Sequence, residues 1–447
     1  MKTPIIDFVR AYAERDAVRF HMPGHKGKSY TGAEKYDITE ISGADVLSSA
    51  SGIIMESEKN AAELFSTLYS FYSCEGSTLA IKAMLKLATD KDRKDGRAPL
   101  ILAGRNAHKS FISACALIGI DVKWIYPAPL DHISVCNITP ECVAKRLSEM
   151  VEAPSAVYVT SPDYLGNLVD ICGIAKVCKE HGVPLLVDNA HGAYLNFLDT
   201  PLHPIALGAA MCADSAHKTL PCLTGGAYLH VSKDYPEYIG GARAALSTFA
   251  STSPSYLILQ SLDKCNEILS TDFRARLDKC ILDIKSAKEK IAALGITVMP
   301  SEPLKITLCP LSFGYTGTDL AGYLSKNGIE AEFSDTQYTV LMVTPDNSPS
   351  DLEYLCGTLV GLSRREPIEC KEHHFLPSAK QVMSIRDAVF SPHEIIDVHS
   401  AIGRICATPM VSCPPAIPIA LCGEEICEEA IRLFLEYGIR EIEVVIK

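Results

Sequence analysis

From residue 99 onward the chain alternates short apolar runs with stretches of helical period. Leu100–Ala103, Val122–Tyr126, Ala156–Thr160, Val183–Asp188, Met211–Ala213 and Gly226–Val231 read as strands, short and bounded by turn residues. Between them a helix opens at Arg105-Asn106-Ala107-His108-Lys109-Ser110 and runs to Leu117, and Pro140–Met150 and Ile171–His181 keep helical spacing. This alternation predicts an α/β fold with a mostly parallel sheet flanked by helices. Upstream, Ile5, Ile6, Phe8, Val9 and Tyr12 mark an amphipathic helix, and Glu58–Phe71 reads as a second. Leu79, Ala83, Met84 and Leu87 mark a third, so Gly76-Ser77-Thr78 falls at its N-terminus. Downstream, one long helical region is predicted from Pro254 to about Leu294, with Leu277, Ile281, Ile284, Ile291 and Leu294 on one face.

Beyond Gly295 the pattern changes. Strand-like Ile296–Met299, Leu304–Pro310 and Tyr338–Thr344 alternate with helices Asp319–Asn327 and Ser350–Leu362. A final stretch holds Ala379–Ala388, a helix near His393–Ile402, the proline-rich Cys413–Pro418, and a last helix with the strand Glu441–Ile446. The expected organisation is an N-terminal segment 1–45, a large α/β domain 46–290, and a smaller α+β region 291–447 whose last part begins near 375.

Composition narrows the classes. A chain of 447 residues, 47% apolar and 21% charged, has the makings of a large folded core rather than of disorder. The net charge of −12 disfavours nucleic acid as a partner, since phosphate neutralisation calls for a basic surface. No run is long and apolar enough to predict a membrane span, and residues 1–19 lack a signal-peptide core. The seventeen cysteines are odd in number, scattered, and without a C-x-x-C pair, which predicts reduced thiols, a cytoplasmic protein and no metal site.

Two segments carry candidate chemistry. Val183–Asp188 is an apolar run that ends in an aspartate, and Ser215-Ala216-His217-Lys218 ends in a lysine thirty residues later. A Schiff-base amine and a carboxylate facing a pyridine nitrogen are what pyridoxal 5'-phosphate requires. His108, Asp163, Asp188, His191 and Lys218 all fall just past predicted strand ends, where open α/β sheets bind ligands. Gly76-Ser77-Thr78 offers free N–H groups, a helix dipole and two hydroxyls to a phosphate. His108 has a planar ring able to stack on the cofactor, and His217 is placed to touch phosphate or substrate or to move protons.

These residues resemble a known family. Phe20-His21-Met22-Pro23-Gly24-His25-Lys26-Gly27, Asp37-Ile38-Thr39-Glu40, Asp188-Asn189-Ala190-His191-Gly192 and Ser215-Ala216-His217-Lys218-Thr219-Leu220-Pro221 look like the bacterial Orn/Lys/Arg decarboxylases. Thr252-Ser253-Pro254-Ser255-Tyr256, Gly403-Arg404 and Pro414-Pro415-Ala416-Ile417-Pro418 extend the likeness over nearly the whole chain. The resemblance implies the aspartate aminotransferase-like fold, type I of the pyridoxal-phosphate enzymes. It implies that Lys218 is the Schiff-base lysine, Asp188 the ring-nitrogen partner and His108 the stacking ring. Ser77, Thr78, Ser215 and His217 become the phosphate set, joined by Thr252 or Ser253 reaching into a neighbouring subunit, and His191 lies near the ring. A homodimer or higher homo-oligomer with interfacial sites follows, in a short form without the N-terminal extension of larger members.

The implied reaction is α-decarboxylation of arginine, lysine or ornithine to a di- or polyamine and CO2, with Lys218 or His217 returning a proton to Cα. An acidic group should meet the distal cation, and Asp163, Glu424 and Glu425 are candidates. Departures from the family pattern are Asn189 in place of Glu, Gly225-Gly226-Ala227 in place of a Gln-containing version, Cys413, Ala416 and Cys422-Gly423-Glu424. They leave two alternatives: another type I enzyme such as an aminotransferase or lyase, or a non-catalytic homologue.

Overall fold

Seven strands come first along the chain: β1 (Tyr69–Ser73), β2 (Leu100–Gly104), β3 (Asp121–Ile125), β4 (Ala156–Thr160), β5 (Leu185–Asp188), β6 (Met211–Asp214) and β7 (Ala227–Val231). The computed structural model describes residues 1–126, 137–369, 379–408 and 418–446. Cys413 and Ala416, with most of the proline-rich segment, therefore lie outside the described residues. Contacts divide the chain into two units, Met1–Gly96 with Ile171–Arg276 and Arg97–Asp170 with Leu277–Lys447.

In the first unit the strand order is β1–β7–β6–β5. β5 and β6 run parallel, with Asp188 opposite Ala213, whereas β7 runs antiparallel to both β6 and β1. The sheet is thus parallel except at β7. The link from β6 contains only the short helix Ala216–Thr219 and a tight glycine turn, so the chain returns alongside β6 in the opposite direction.

β1 corrects the predicted helix Glu58–Phe71: the helix is Ile53–Leu64, and a strand follows. Ser66 at φ 55° ends the helical path, and Tyr-Ser-Phe-Tyr-Ser then suits a pleated, buried surface better than another turn of helix. The predicted region from Pro254 is two helices, Tyr256–Leu269 and Phe273–Ala293, parted at Ser270–Asp272.

The N-terminal helix Pro4–Glu14 forms as its pattern predicts. Proline fits its first turn, and Ile5, Ile6, Val9 and Tyr12 are buried, a face whose burial contributes roughly 1.5–3 kcal/mol per large side chain. Its orphan N–H groups at Ile5 and Ile6 donate to the Asp263 carboxylate at 3.0 and 3.1 Å. Asp45 plays the same part for the helix Ile53–Leu64, accepting from the N–H groups of Ser51, Gly52 and Ile54.

In the second unit β2 lies between β3 and β4 and is parallel to both. Four further strands, β8 (Thr297–Met299), β9 (Lys305–Cys309), β10 (Phe333–Ser334) and β11 (Thr339–Met342), make an antiparallel sheet in the order β10–β11–β9–β8. Near the C-terminus β12 (His393–Asp397) pairs antiparallel with β13 (Glu441–Val445). This corrects the predicted helix near His393–Ile402: the β-branched Ile395 and Ile396 take the strand, and only Val398–Ser400 turns, as a 3-10 helix. Val398, Ile419, Ile426, Phe434, Ile442 and Val444 form its apolar core. Arg386 ties this region to the helix Lys109–Ile118 by donating to the carbonyls of Ala116 and Leu117. The fold class is α/β with a smaller α+β region, as the residue pattern predicts. Among the described residues no helix is long and apolar enough to cross a membrane.

Candidate active site

The first unit gathers most of the predicted residues around the carboxyl ends of β5 and β6. Asp188 is the last residue of β5, 2% exposed, and accepts from the Ala190 N–H at 3.2 Å. That turn carries the chain to His191, also buried, whose Nε2 lies 3.0 Å from Lys218 Nζ. One proton bridges this contact: either an ammonium donates to a neutral ring, or an imidazole N–H donates to a neutral amine.

Lys218 sits in the four-residue helix Ala216–Thr219, half-buried, with its N–H on the Ser215 carbonyl at 3.0 Å. Ser215 is buried and its hydroxyl donates to Ser77 Oγ at 2.7 Å. The two serines are 138 residues apart in sequence, so the fold itself assembles this hydroxyl pair. Ser77 and Thr78 occupy the first turn of the helix Gly76–Lys94. Gly76 opens that helix at φ 68°, a conformation suited to glycine, and a side chain there would enter open space. Its N–H donates to the Gly225 carbonyl.

Gly225 explains one departure from the family pattern. It adopts φ 96°, and a Cβ would stand 2.9 Å from the Cys74 carbonyl oxygen. A side chain at that position would push away the loop that leads into Gly76. Gly226 is equally confined, since its Cβ would meet Cys222 Sγ. Both the backbone N–H and the ring Nδ1 of His217 approach the Gly226 carbonyl, at 3.2 and 2.9 Å. Nδ1 must donate there, so a neutral His217 keeps its lone pair on Nε2.

Thr252 and Ser253 are exposed. The preceding Ser251 N–H donates to Glu75 Oε1 at 2.7 Å, which pins this loop beside the Gly76 helix. Thr252 also lines a cavity of about 200 Å³ with Tyr72, Leu79 and Arg243. The His-Pro-Gly-His loop is built from local contacts: His21 Nε2 meets the Tyr12 hydroxyl at 2.6 Å, and His25 Nε2 meets Asp37 at 3.2 Å.

His108 belongs to the second unit, where it caps the helix Lys109–Ile118. Its Nδ1 accepts from the Ser110 N–H at 3.2 Å, which fixes the ring. The acidic candidates for a distal cation are otherwise engaged. Asp163 is buried, both its oxygens accept from Asn167, and burial raises its pKa. Glu424 is 1% exposed and accepts from Arg105 and from the Leu421 N–H, each at 2.8 Å. Burial raises the Glu424 carboxyl while the Arg105 guanidinium opposes it. Glu425 is exposed.

The sequence reading missed a cluster beside the site. Asp214 closes β6 between His203 and His230, all three buried, and the Asn189 amide donates to Asp214 at 2.7 Å. Asn189 is another departure, and it has a physical reason here. A glutamate would bring a second carboxylate against Asp214. The signal was present in the letters as an aspartate within an apolar strand and a histidine within another, but their pairing needs the sheet.

A family profile described as "Orn/Lys/Arg decarboxylase, major domain" matches residues 3–311. The chain is 30% identical to an arginine decarboxylase of Bacillus subtilis (strain 168), over 96% of this chain and 92% of that protein. It is 30% identical to one from Halalkalibacterium halodurans, over 96% and 91%. Among solved structures, a lysine decarboxylase of Francisella novicida superposes with a TM-score of 0.82 at 17% identity, covering 99% of this chain and 81% of that one. The constitutive lysine decarboxylase of E. coli gives 0.80 at 17% identity, covering 100% and 82%.

Proposed function

Since this chain belongs to the Orn/Lys/Arg decarboxylase family, we propose that it removes the α-carboxylate of arginine, in preference to lysine or ornithine, using pyridoxal 5'-phosphate. The protein is an amino acid decarboxylase, and its fold is that of the pyridoxal-phosphate enzymes of type I. What supports arginine is the near-full-length likeness to relatives named arginine decarboxylase.

The residues fit the cofactor. A basic amine, a buried carboxylate and a hydroxyl-lined helix N-terminus stand on one unit, at the carboxyl ends of parallel strands. Pyridoxal phosphate, when bound, supplies a protonated ring that accepts the electron pair left at Cα as CO2 departs. Lys218 would hold it and carry a proton at Nζ, with His191 Nε2 taking up or returning that proton. Asp188 would keep its carboxylate toward the ring nitrogen, favouring protonation by opposite charge in a dry site. Ser77, Thr78 and Ser215 would receive the phosphate at the turn that Gly76 opens, with His217 at its edge. His217 Nε2 would also be available to protonate Cα, because Nδ1 is committed to Gly226. His108 would contribute its fixed ring by stacking. A decarboxylase gains by holding the departing carboxylate loosely, since tight ground-state binding would lower no barrier.

Thr252 and Ser253 would complete the phosphate site of a second copy, making the enzyme at least a homodimer. Their exposure on a loop anchored beside Gly76 supports that role. The amine product would belong to polyamine supply. A cytoplasmic setting is supported by the fourteen described cysteines, all free.

The deciding experiment measures CO2 release from arginine, lysine and ornithine side by side with cofactor-supplemented protein. Arginine should give the highest kcat/KM. Keto acid without CO2 from any of the three would replace this reading with an aminotransferase.

A further inference from the structure

The cluster at Asp214 has the construction of a closed cation site. Asp214, His203 and His230 are each 0% exposed. His203 Nε2 lies 3.0 Å and His230 Nε2 3.3 Å from one carboxylate oxygen, Asp214 Oδ2. The remaining polar atoms of two of the three are already held from outside. Ser70 Oγ meets His230 Nδ1 at 2.7 Å, and the Asn189 amide donates to Asp214 Oδ1 at 2.7 Å. Such outer contacts are what orient an imidazole and a carboxylate toward an ion, leaving Nε2 and Oδ2 turned inward.

Direction adds a second observation. His230 Nε2 lies 3.3 Å from Oδ2 yet forms no well-directed hydrogen bond. Donor atoms of all three residues lie within 4.8 Å of one another, close enough to share one ion. Bonds of roughly 2.0–2.2 Å to a tetrahedral centre would separate neighbouring ligand atoms by about 3.3 Å, close to the spacings present. The Cys212 thiol stands outside this group and donates to the outer oxygen, Asp214 Oδ1, at 3.8 Å.

We propose that His203, Asp214 and His230 bind a divalent cation of the zinc class as a structural site. Imidazole nitrogens with a carboxylate in a closed, dry pocket select zinc over calcium or magnesium, which keep oxygen ligands and water. The ion ties β6 and β7 to the segment that carries His203. Through Asn189 it also holds the residue that follows Asp188. The site needs neither cofactor nor substrate, so it stands apart from the proposed reaction.

The test is metal retention by the full-length protein. After incubation with zinc chloride and gel filtration through a weak chelator, about one zinc per chain should remain. Asp214→Asn and His230→Gln should lose it while keeping all seventeen thiols, which controls for zinc held by other cysteines. Should either variant fail to fold, wild-type crystals soaked in zinc should give an anomalous peak at the zinc edge within the cluster. No retained zinc in the wild type, equal retention in folded variants, or no peak among these three residues would overturn the proposal.

Discussion

Asp188 and Asp214 close adjacent parallel strands and are both buried, yet their surroundings differ in kind. Asp188 accepts from the turn of its own segment, which leads within three residues to His191 and its contact with Lys218. Asp214 is closed in by partners that arrive from elsewhere: His203 from the preceding loop and His230 from β7, where the register sets it opposite Cys212. Burial alone would raise the Asp214 carboxyl, but the two imidazoles overrule it and hold the group below the usual carboxylate range. One aspartate thus stands beside the proposed cofactor lysine, and the other within a fully buried cluster. Asn189, immediately after the first and bonded to the second, joins them.

The strongest way to break this contrast is at Lys218. Lys218→Ala should lower CO2 release from arginine by roughly 10²–10⁴-fold or more, the scale of losing a catalytic proton carrier. Its thermal midpoint should change little, because the side chain is only half-buried. Activity surviving at a tenth of wild type would mean that the active site lies elsewhere.

The link itself is tested at Asn189. Asn189→Ala removes a hydrogen bond to a charged, buried carboxylate, which should cost about 1.5–3 kcal/mol of stability by denaturant unfolding. A loss of turnover with no loss of stability would instead make Asn189 part of the chemistry and dissolve the distinction between the two aspartates.

The same contrast explains what could be read from the letters. Strand-end placement grouped His108, Asp163, Asp188, His191 and Lys218, and of these Asp188, His191 and Lys218 stand in short segments of one unit, with His191 against Lys218. The parallel strands from Leu100 to Asp214 were legible for a similar reason, each being an apolar run between turn residues. Ser77 on Ser215 and His230 on Asp214 were not legible, because sheet pairing brings together positions 138 and 16 residues apart. β1 and β12 were misread because short aromatic or isoleucine-rich runs fit both periods, and pairing with β7 and β13 decides them. The acidic candidates illustrate the converse. Asp163 and Glu424 have the right charge, but Asn167 and Arg105 occupy them, which composition cannot disclose.

A third buried aspartate separates burial from the effect of neighbouring imidazoles. Asp263 accepts from Ser57 and from the N–H groups of Ile5 and Ile6, all neutral donors, where Asp214 faces two imidazoles. Burial raises its pKa to about 6, those hydrogen bonds pull against the rise, and Asp7 adds to it. The folded protein therefore holds a proton on Asp263 at pH values where the unfolded chain, at the ordinary 3.8, has released it. Stability should then fall as pH rises from about 4 to 6, with the penalty complete above pH 6. Asp263→Asn, which carries no charge and keeps an oxygen for both backbone N–H groups, should remove that slope, a change of about 2 kcal/mol across the window. Unfolding midpoints of both proteins at pH 4, 5, 6 and 7 check it. Parallel pH profiles would show that Asp263 ionises as if exposed, and burial among neutral hydroxyl and amide donors would no longer account for the difference between Asp263 and Asp214.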